Sequence, residues 1–355
     1  MMKPVRRLIS SGVLLVLIGG MVLAAKKWNT LVFSFYPKFS RTALGYLAGV
    51  SSVLPIAIWE VLVCILAITL IVTLIICLAK HRFLRWLTGV LLTVSIGCFF
   101  FITVWGLNYF APPMQERLGL QVRQYTVSEL REATEYYLAQ ANEAALAVPR
   151  DADGVTVAAD FSELSEAAGA AYRTLAQSIP CFDGSDVGVK KLLSSKLFGA
   201  TGTTGIFIAF TGESCVSTTT FSASVPFTMC HEVAHRMAFA RENEANFAAF
   251  LACTENTRAD FRYSGYYSAF IYCYNALHRA DPDTAAEVWA QVSEPLKTDF
   301  AASRAHYDEL ENEAVCAVSE KVYDTYLKAF SVESGSQSYG EVVDLLAAWY
   351  FERLK

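Results

Sequence analysis

Charge is scarce in this chain. Only 18% of its 355 residues are Asp, Glu, Lys or Arg, against about a quarter in ordinary soluble domains. The shortage is concentrated in residues 1–110, and the rest reads as a globular domain long enough for its own core. Net charge is −5 and the globular part has no basic cluster, which excludes a nucleic-acid footprint. There is no C-x-x-C pair among nine cysteines, so a cysteine metal site is not indicated. Cys64, Cys77 and Cys98 lie in apolar runs and the other six are scattered, the pattern of buried thiols. No repeat or low-complexity segment occurs. Residues 199–205 (Gly-Ala-Thr-Gly-Thr-Thr-Gly) are glycine-rich but lack the lysine of a phosphate-binding loop.

What the first 110 residues do have is three apolar runs near the length needed to cross a bilayer, about 20 residues. They cover roughly 8–25, 58–79 and 87–110, with Trp86, Trp105 and Tyr109 near the ends of the third as interfacial aromatics. The first run is open to a second reading as a signal peptide, since Lys3, Arg6 and Arg7 precede it and Leu23-Ala24-Ala25 resembles a cleavage site. With three spans, Lys3, Arg6 and Arg7 fall on the same side as Lys80, Arg82 and Arg85. Placing both groups in the cytoplasm puts the globular domain outside. Lys26, Lys27, Lys38 and Arg41 in the first loop weigh against that orientation. The loop itself, 26–57, is partly apolar and either lies on the membrane surface or packs on the spans. Glu60 is the one acid inside a span, close enough to its end to be solvated.

Pro112-Pro113 ends the membrane part, giving domains 1–110 and 111–355. Thr126 with Glu129 forms a capping-box signature for a helix to about residue 147, and 162–178 is a second amphipathic helix. Residues 205–210 and 215–221 read as two strands joined by a turn at 211–213. Pro226 then suits the first turn of a helix over 226–238. The remaining periodicity is helical over about 242–255, 262–278, 283–294, 298–330 and 338–354. The expected class is α+β with a dominant helical part.

Residues 231–235 read His-Glu-Val-Ala-His. On a helix, His231 and His235 lie one turn apart on one face, where both can reach a zinc ion. Glu232 is displaced sideways, placed to act as a general base on a metal-activated water. A catalytic zinc needs a third protein ligand. Glu242 and Asn246 are one turn apart on the next helix, a spacing that suits a carboxylate ligand and an amide orienting the first histidine. This pair resembles the Glu-x-x-x-Asp/Asn element of gluzincin metallopeptidases. Glu244 is the alternative third ligand. An unbroken helix would separate His231 from Glu242 by about 16 Å, so the chain must turn between Arg236 and Arg241, a stretch with neither Gly nor Pro. If it does not turn, the third ligand falls to Glu213, Glu255, Asp260, His278 or His306. Tyr263 and Tyr266, from a tyrosine-rich helix over 261–277, are either oxyanion or substrate contacts or an aromatic core stripe. The strand 205–210 is placed to pair with an extended peptide.

Several motifs occur in a fixed order: Trp105-Gly-Leu-Asn-Tyr-Phe110, Ala209-Phe-Thr-Gly-Glu-Ser214, Pro226 through His235, Glu242-x-Glu-Ala-Asn-Phe247, Tyr263-Ser-Gly-Tyr266 and Ser338-Tyr-Gly340. On these the chain resembles a bacterial membrane-protein family catalogued as domain of unknown function 3810. The resemblance implies three N-terminal transmembrane helices, then a mostly helical α+β zincin-like domain with a small β-hairpin. It supplies no substrate. One departure is Ala238, where relatives tend to carry Gly. The expectation is a multi-pass bacterial membrane protein with Zn²⁺ as cofactor, the lipid bilayer as partner and an extracytoplasmic peptide as substrate. The alternatives are an inactive zinc-binding scaffold and a hydrolase of a cell-envelope amide. Oligomeric state is left open.

Overall fold

The computed structural model describes residues 2–329 and 341–355, so the Ser338-Tyr-Gly340 motif lies outside the described residues. The chain begins with helix α1 (Met2–Lys27), continues through the short α2 (Asn29–Phe33) and α3 (Tyr36–Ser51), then forms α4 (Ile58–Ala79) and α5 (Phe83–Val104). Three of these helices, over Lys3–Lys27, Ile58–Ala79 and Phe83–Val104, are long and apolar enough to cross a membrane. α1 packs along α5, and the Arg7 guanidinium donates to the Arg85 carbonyl at 2.7 Å. The two basic groups therefore meet at one end of the bundle, opposite the remainder of the protein.

The third apolar helix ends sooner than its hydropathy predicts. Trp105 leaves helical geometry, and residues Gly106–Phe110 form a 3₁₀ turn. The Asn108 amide drives this break by donating to the Trp105 carbonyl and to Ser40 Oγ, each at 2.9 Å. Loop 26–57 is mostly helical. In α3 the buried residues Tyr36, Ser40, Leu44, Ala48 and Ser51 recur at helical spacing, which fixes one face against the protein. Glu60 is buried rather than solvated. Its carboxylate accepts the Leu193 and Ser194 backbone N–H groups at 2.7 and 2.9 Å and the Ser194 hydroxyl.

Beyond residue 110 come α6 (Met114–Leu118), α7 (Val127–Ala144) and α8 (Phe161–Ser178), with the Thr126–Glu129 capping box present as the sequence predicts. Strand β1 (Lys190–Lys191), helix α9 (Ser195–Ala200) and strands β2 (Gly205–Ile208) and β3 (Glu213–Val216) follow. β2 and β3 form the expected antiparallel hairpin, pairing Gly205 with Val216 and Ile208 with Glu213. The second strand starts two residues earlier than predicted and ends five earlier, at Val216. Glu213 belongs to it because its side chain is held by the start of α4, accepting the Ile58 and Trp59 N–H groups and the Lys190 ammonium at 2.7–2.9 Å. β1 was not expected. It adds parallel to β3, so the order is β1-β3-β2 and β2 is an edge.

The rest is helical: α10 (Val225–Arg236), α11 (Glu242–Thr254), α12 (Ala259–Ala280), α13 (Pro282–Trp289), α14 (Glu294–Leu310), α15 (Glu313–Ala329) and α16 (Glu341–Trp349). The predicted helix over 298–330 is two helices, because Asn312 opens α15 by accepting the Val315 and Cys316 N–H groups. α10 and α11 lie at the centre of the main core, with Tyr137, Tyr172, Phe247, Phe250 and Phe261 fully buried around them. All nine cysteines are free thiols.

Candidate functional site

α10 starts with Pro226 in its first turn and buries every residue from Val225 to Arg236 except His231, which is half-buried. The helix ends at Arg236, and the chain reverses through residues 237–241. Ala238 takes φ +70, the left-handed region. Its N–H bonds the His235 carbonyl at 3.0 Å, and the Phe239 N–H reaches the Ala234 carbonyl at 3.2 Å. Those two bonds are the Schellman arrangement that ends helices, here with Ala where Gly is usual. The reversal the sequence required is therefore made, at the position of the missing glycine.

The turn does two things for the site. It starts α11 at Glu242, so that His231, His235 and Glu242 come together with ligand atoms within 4.8 Å of one another. It also places the Phe239 carbonyl 2.7 Å from His235 Nδ1. A carbonyl can only accept, so Nδ1 carries the proton and Nε2 of the neutral ring presents its lone pair. The three inward groups, two ring nitrogens and the two oxygens of one carboxylate, form a small triangle. His231 Nε2 lies 3.1 Å from His235 Nε2 and 3.2 Å from Glu242 Oε2, while His235 Nε2 is 3.5 Å from Glu242 Oε1. Ligands at zinc bond lengths of about 2.0–2.1 Å in a tetrahedron stand about 3.3 Å apart. The donor types and the edges of the triangle both fit that ion.

The surroundings complete the arrangement. Asn246, one turn after Glu242, hydrogen-bonds the His231 imidazole. Burial opposes the charge on both rings. For His235 it prevails and lowers the pKa to about 4. For His231, the hydrogen bond and charge of Glu242, aided by Glu232 and Asn246, outweigh burial and raise the pKa to about 9. Glu232 is buried, and desolvation pushes its carboxyl up to about 8, against the attraction of His231. Its Oε2 is buried with no hydrogen-bond partner among the described residues, an arrangement that is costly for a carboxylate unless something polar meets it.

The other sequence candidates go elsewhere. Glu244 accepts the Met114 N–H and the Arg241 guanidinium, both at 2.9 Å, and is not in the cluster. Tyr263 is buried and donates to Asp299 at 2.5 Å, within a network that includes Arg150 and Thr156. Tyr266 packs edge-on to Phe250 and hydrogen-bonds with Tyr136. Both tyrosines follow the core-stripe reading, since their hydroxyls are engaged away from the histidines. Glu213 holds the start of α4, and His306 bonds the Thr219 carbonyl at 2.7 Å.

Two residues escaped sequence reasoning. Trp105 donates from Nε1 to the His235 carbonyl at 3.1 Å, with its ring 6.2 Å from the imidazole. The end of the third apolar helix is thus part of the wall of the site; its sequence traces were an interfacial aromatic and the motif Trp105 opens. Gly205 opens β2 directly over Glu232, where a Cβ would lie 2.5 Å from Oε1. A glycine at the start of a strand was the available signal for close approach.

A family model described as a protein of unknown function (DUF3810) matches residues 34–347, and the chain belongs to that family. No curated protein matches the chain, and no solved structure matches it.

Proposed function

We propose that this protein is a membrane-anchored zinc-dependent hydrolase of peptides, with a zincin-like catalytic domain. The observation that carries the reading is the triangle of His231, His235 and Glu242, spaced for one ion beside a buried carboxylate with an unpartnered oxygen. His231 Nε2, His235 Nε2 and a Glu242 oxygen would hold Zn²⁺, with the Phe239 carbonyl and Asn246 orienting the two rings. When bound, zinc would supply Lewis acidity and make water a better nucleophile near neutral pH. Beside the bound cation Glu232 would be held ionised, and its Oε2 would take the proton of the attacking water and return it to the leaving amine. Glu244 is committed to Arg241 and Met114 and would not close the site, which favours turnover over a scaffold. The free edge of β2 beside Glu232 favours a peptide, added as a further strand, over a cell-envelope amide.

In this reading the three apolar helices cross the membrane. The convergence of Arg7 and Arg85 at the far end supports a cytoplasmic basic end and an extracytoplasmic domain. Trp105 sets the site at the level where the third helix leaves the bilayer. The test is zinc stoichiometry of the detergent-purified protein, followed by a peptide library presented to wild type and Glu232→Gln. One zinc per chain with cleavage by wild type alone is expected. Zinc retained with no cleavage by either protein refutes the peptidase reading.

A further inference from the structure

In the β2–β3 turn, residues 209–212, Ala209 is buried while Phe210 packs on the flank of an apolar helix. The Phe210 ring stacks on Phe100 at 5.7 Å and meets Phe101 at 6.3 Å. A Cβ on Gly97 would sit 4.0 Å from the Phe210 ring. Gly97 is seven residues inside the end of α5 at Val104, about 10 Å along a helix. From residue 88 to 104 that helix has no charged side chain. Phe210 is nevertheless 51% exposed. Whatever medium surrounds α5 at that depth also surrounds Phe210.

The turn is held there rigidly. Gly212 has φ +67, and a Cβ on it would come within 2.5 Å of the Leu44 carbonyl and 2.6 Å of the Ala48 nitrogen. The hairpin is thus pressed against the backbone of α3. α3 in turn carries a second apolar stripe away from its buried face. Phe39, Tyr46 and Val50 recur at seven and four residues and are exposed, Tyr46 at 74%, and Val53 and Leu54 continue the patch. A helix apolar on two faces, one against protein and one bare, suits a membrane boundary. The exposed Leu193 and Leu197 extend the same surface beside the start of α4, where Glu60 anchors Leu193 and Ser194.

We propose that the β2–β3 turn and the outer face of α3 are a lipid-binding wedge, with Phe210 immersed in the hydrocarbon and Tyr46 at its boundary. The domain is therefore sunk into the bilayer by its own hairpin, the strand that borders Glu232, beyond being tethered to it. This inference rests on the three apolar helices lying in a bilayer and is independent of zinc and of catalysis.

The test uses the full chain in lipid nanodiscs. Phe210→Trp and Tyr46→Trp add one fluorophore each to the native background, and Ile68→Trp, exposed midway along α4, is the reference. Phospholipids brominated at mid-chain or near the headgroup probe depth, and aqueous iodide probes water. The added emission at 210 is expected to be lost to acyl-chain bromine, as at 68, and spared by iodide. That at 46 is expected to be lost chiefly to bromine near the headgroup. Quenching at 68 by lipid, with 210 and 46 quenched by iodide, overturns the wedge. Iodide quenching at 68 as well refutes the membrane-spanning reading beneath it, and the wedge falls too. Should Phe210→Trp fail to fold, the Tyr46→Trp result decides alone.

Discussion

Gly205→Ala tests the geometry at Glu232 most directly. Gly205 does not occupy the left-handed region, so its backbone tolerates a side chain and the contact is the only objection. The added methyl would sit 2.5 Å from Oε1, 2.8 Å from Cγ and 2.9 Å from Cδ of Glu232, whereas ordinary contact begins near 3.4 Å. Glu232 is buried, and its inner carbons are hit as well as its tip, so it cannot simply swing into solvent. Forced overpacking of this kind costs about 1–3 kcal/mol, equivalent to about 1–4 °C in Tm for a chain this long. Removing the opposing side chain removes the clash. In a Glu232→Ala background the same change should cost under about 0.5 kcal/mol, leaving a coupling above about 0.5 kcal/mol. The measurement is a four-protein thermal-unfolding cycle. Because no ligand atom is touched, zinc content should be unchanged while hydrolysis falls about 100-fold, the usual penalty for a catalytic group displaced by about 1 Å. Equal destabilisation in both backgrounds would refute the placement of Glu232 under the hairpin.

Other outcomes follow from the same contacts. Asn246→Ala should weaken zinc binding about 10–100-fold in a competition titration with a chelating dye, while the fold survives. Ala238→Val should destabilise by about 2 kcal/mol or more, because a β-branched residue resists φ +70, and should lower zinc content by displacing Glu242. Ala238→Gly should be near neutral in Tm, since relief of the left-handed strain offsets the lost burial of a methyl group. Glu213→Ala leaves the Lys190 ammonium without its carboxylate and two α4 N–H groups without an acceptor, so it should cost about 3–5 kcal/mol and expose loop 52–57 to limited proteolysis. Stripping zinc with a chelator should lower Tm, and zinc at 100 times its dissociation constant should restore about 2.7 kcal/mol; an unchanged Tm argues against a resident ion.

By itself the sequence determined whatever depends on neighbours along the chain. Apolar runs the length of a bilayer, a capping box at Thr126, a hairpin before Pro226 and two histidines one turn apart are all local patterns. A helix or strand repeats them without help from distant residues. Even the Glu242–Asn246 pair could be offered as a candidate from its spacing, with Glu244 left open. What spacing could not decide was whether the chain turns between Arg236 and Arg241, since that stretch lacks the residues that usually make a turn. Tertiary packing decided it by holding a buried Ala238 at φ +70. The same holds for the groups that arrive from afar. Trp105 reaches His235 across 130 residues, Glu213 reaches α4 across 155, and Glu60 reaches Ser194 across 134. Glu244 stayed open as the alternative ligand, and Tyr263 as a substrate contact, until Arg241, Met114 and Asp299 claimed them. A buried polar atom takes its role from the partner that desolvation compels it to find, and that partner is set by the fold.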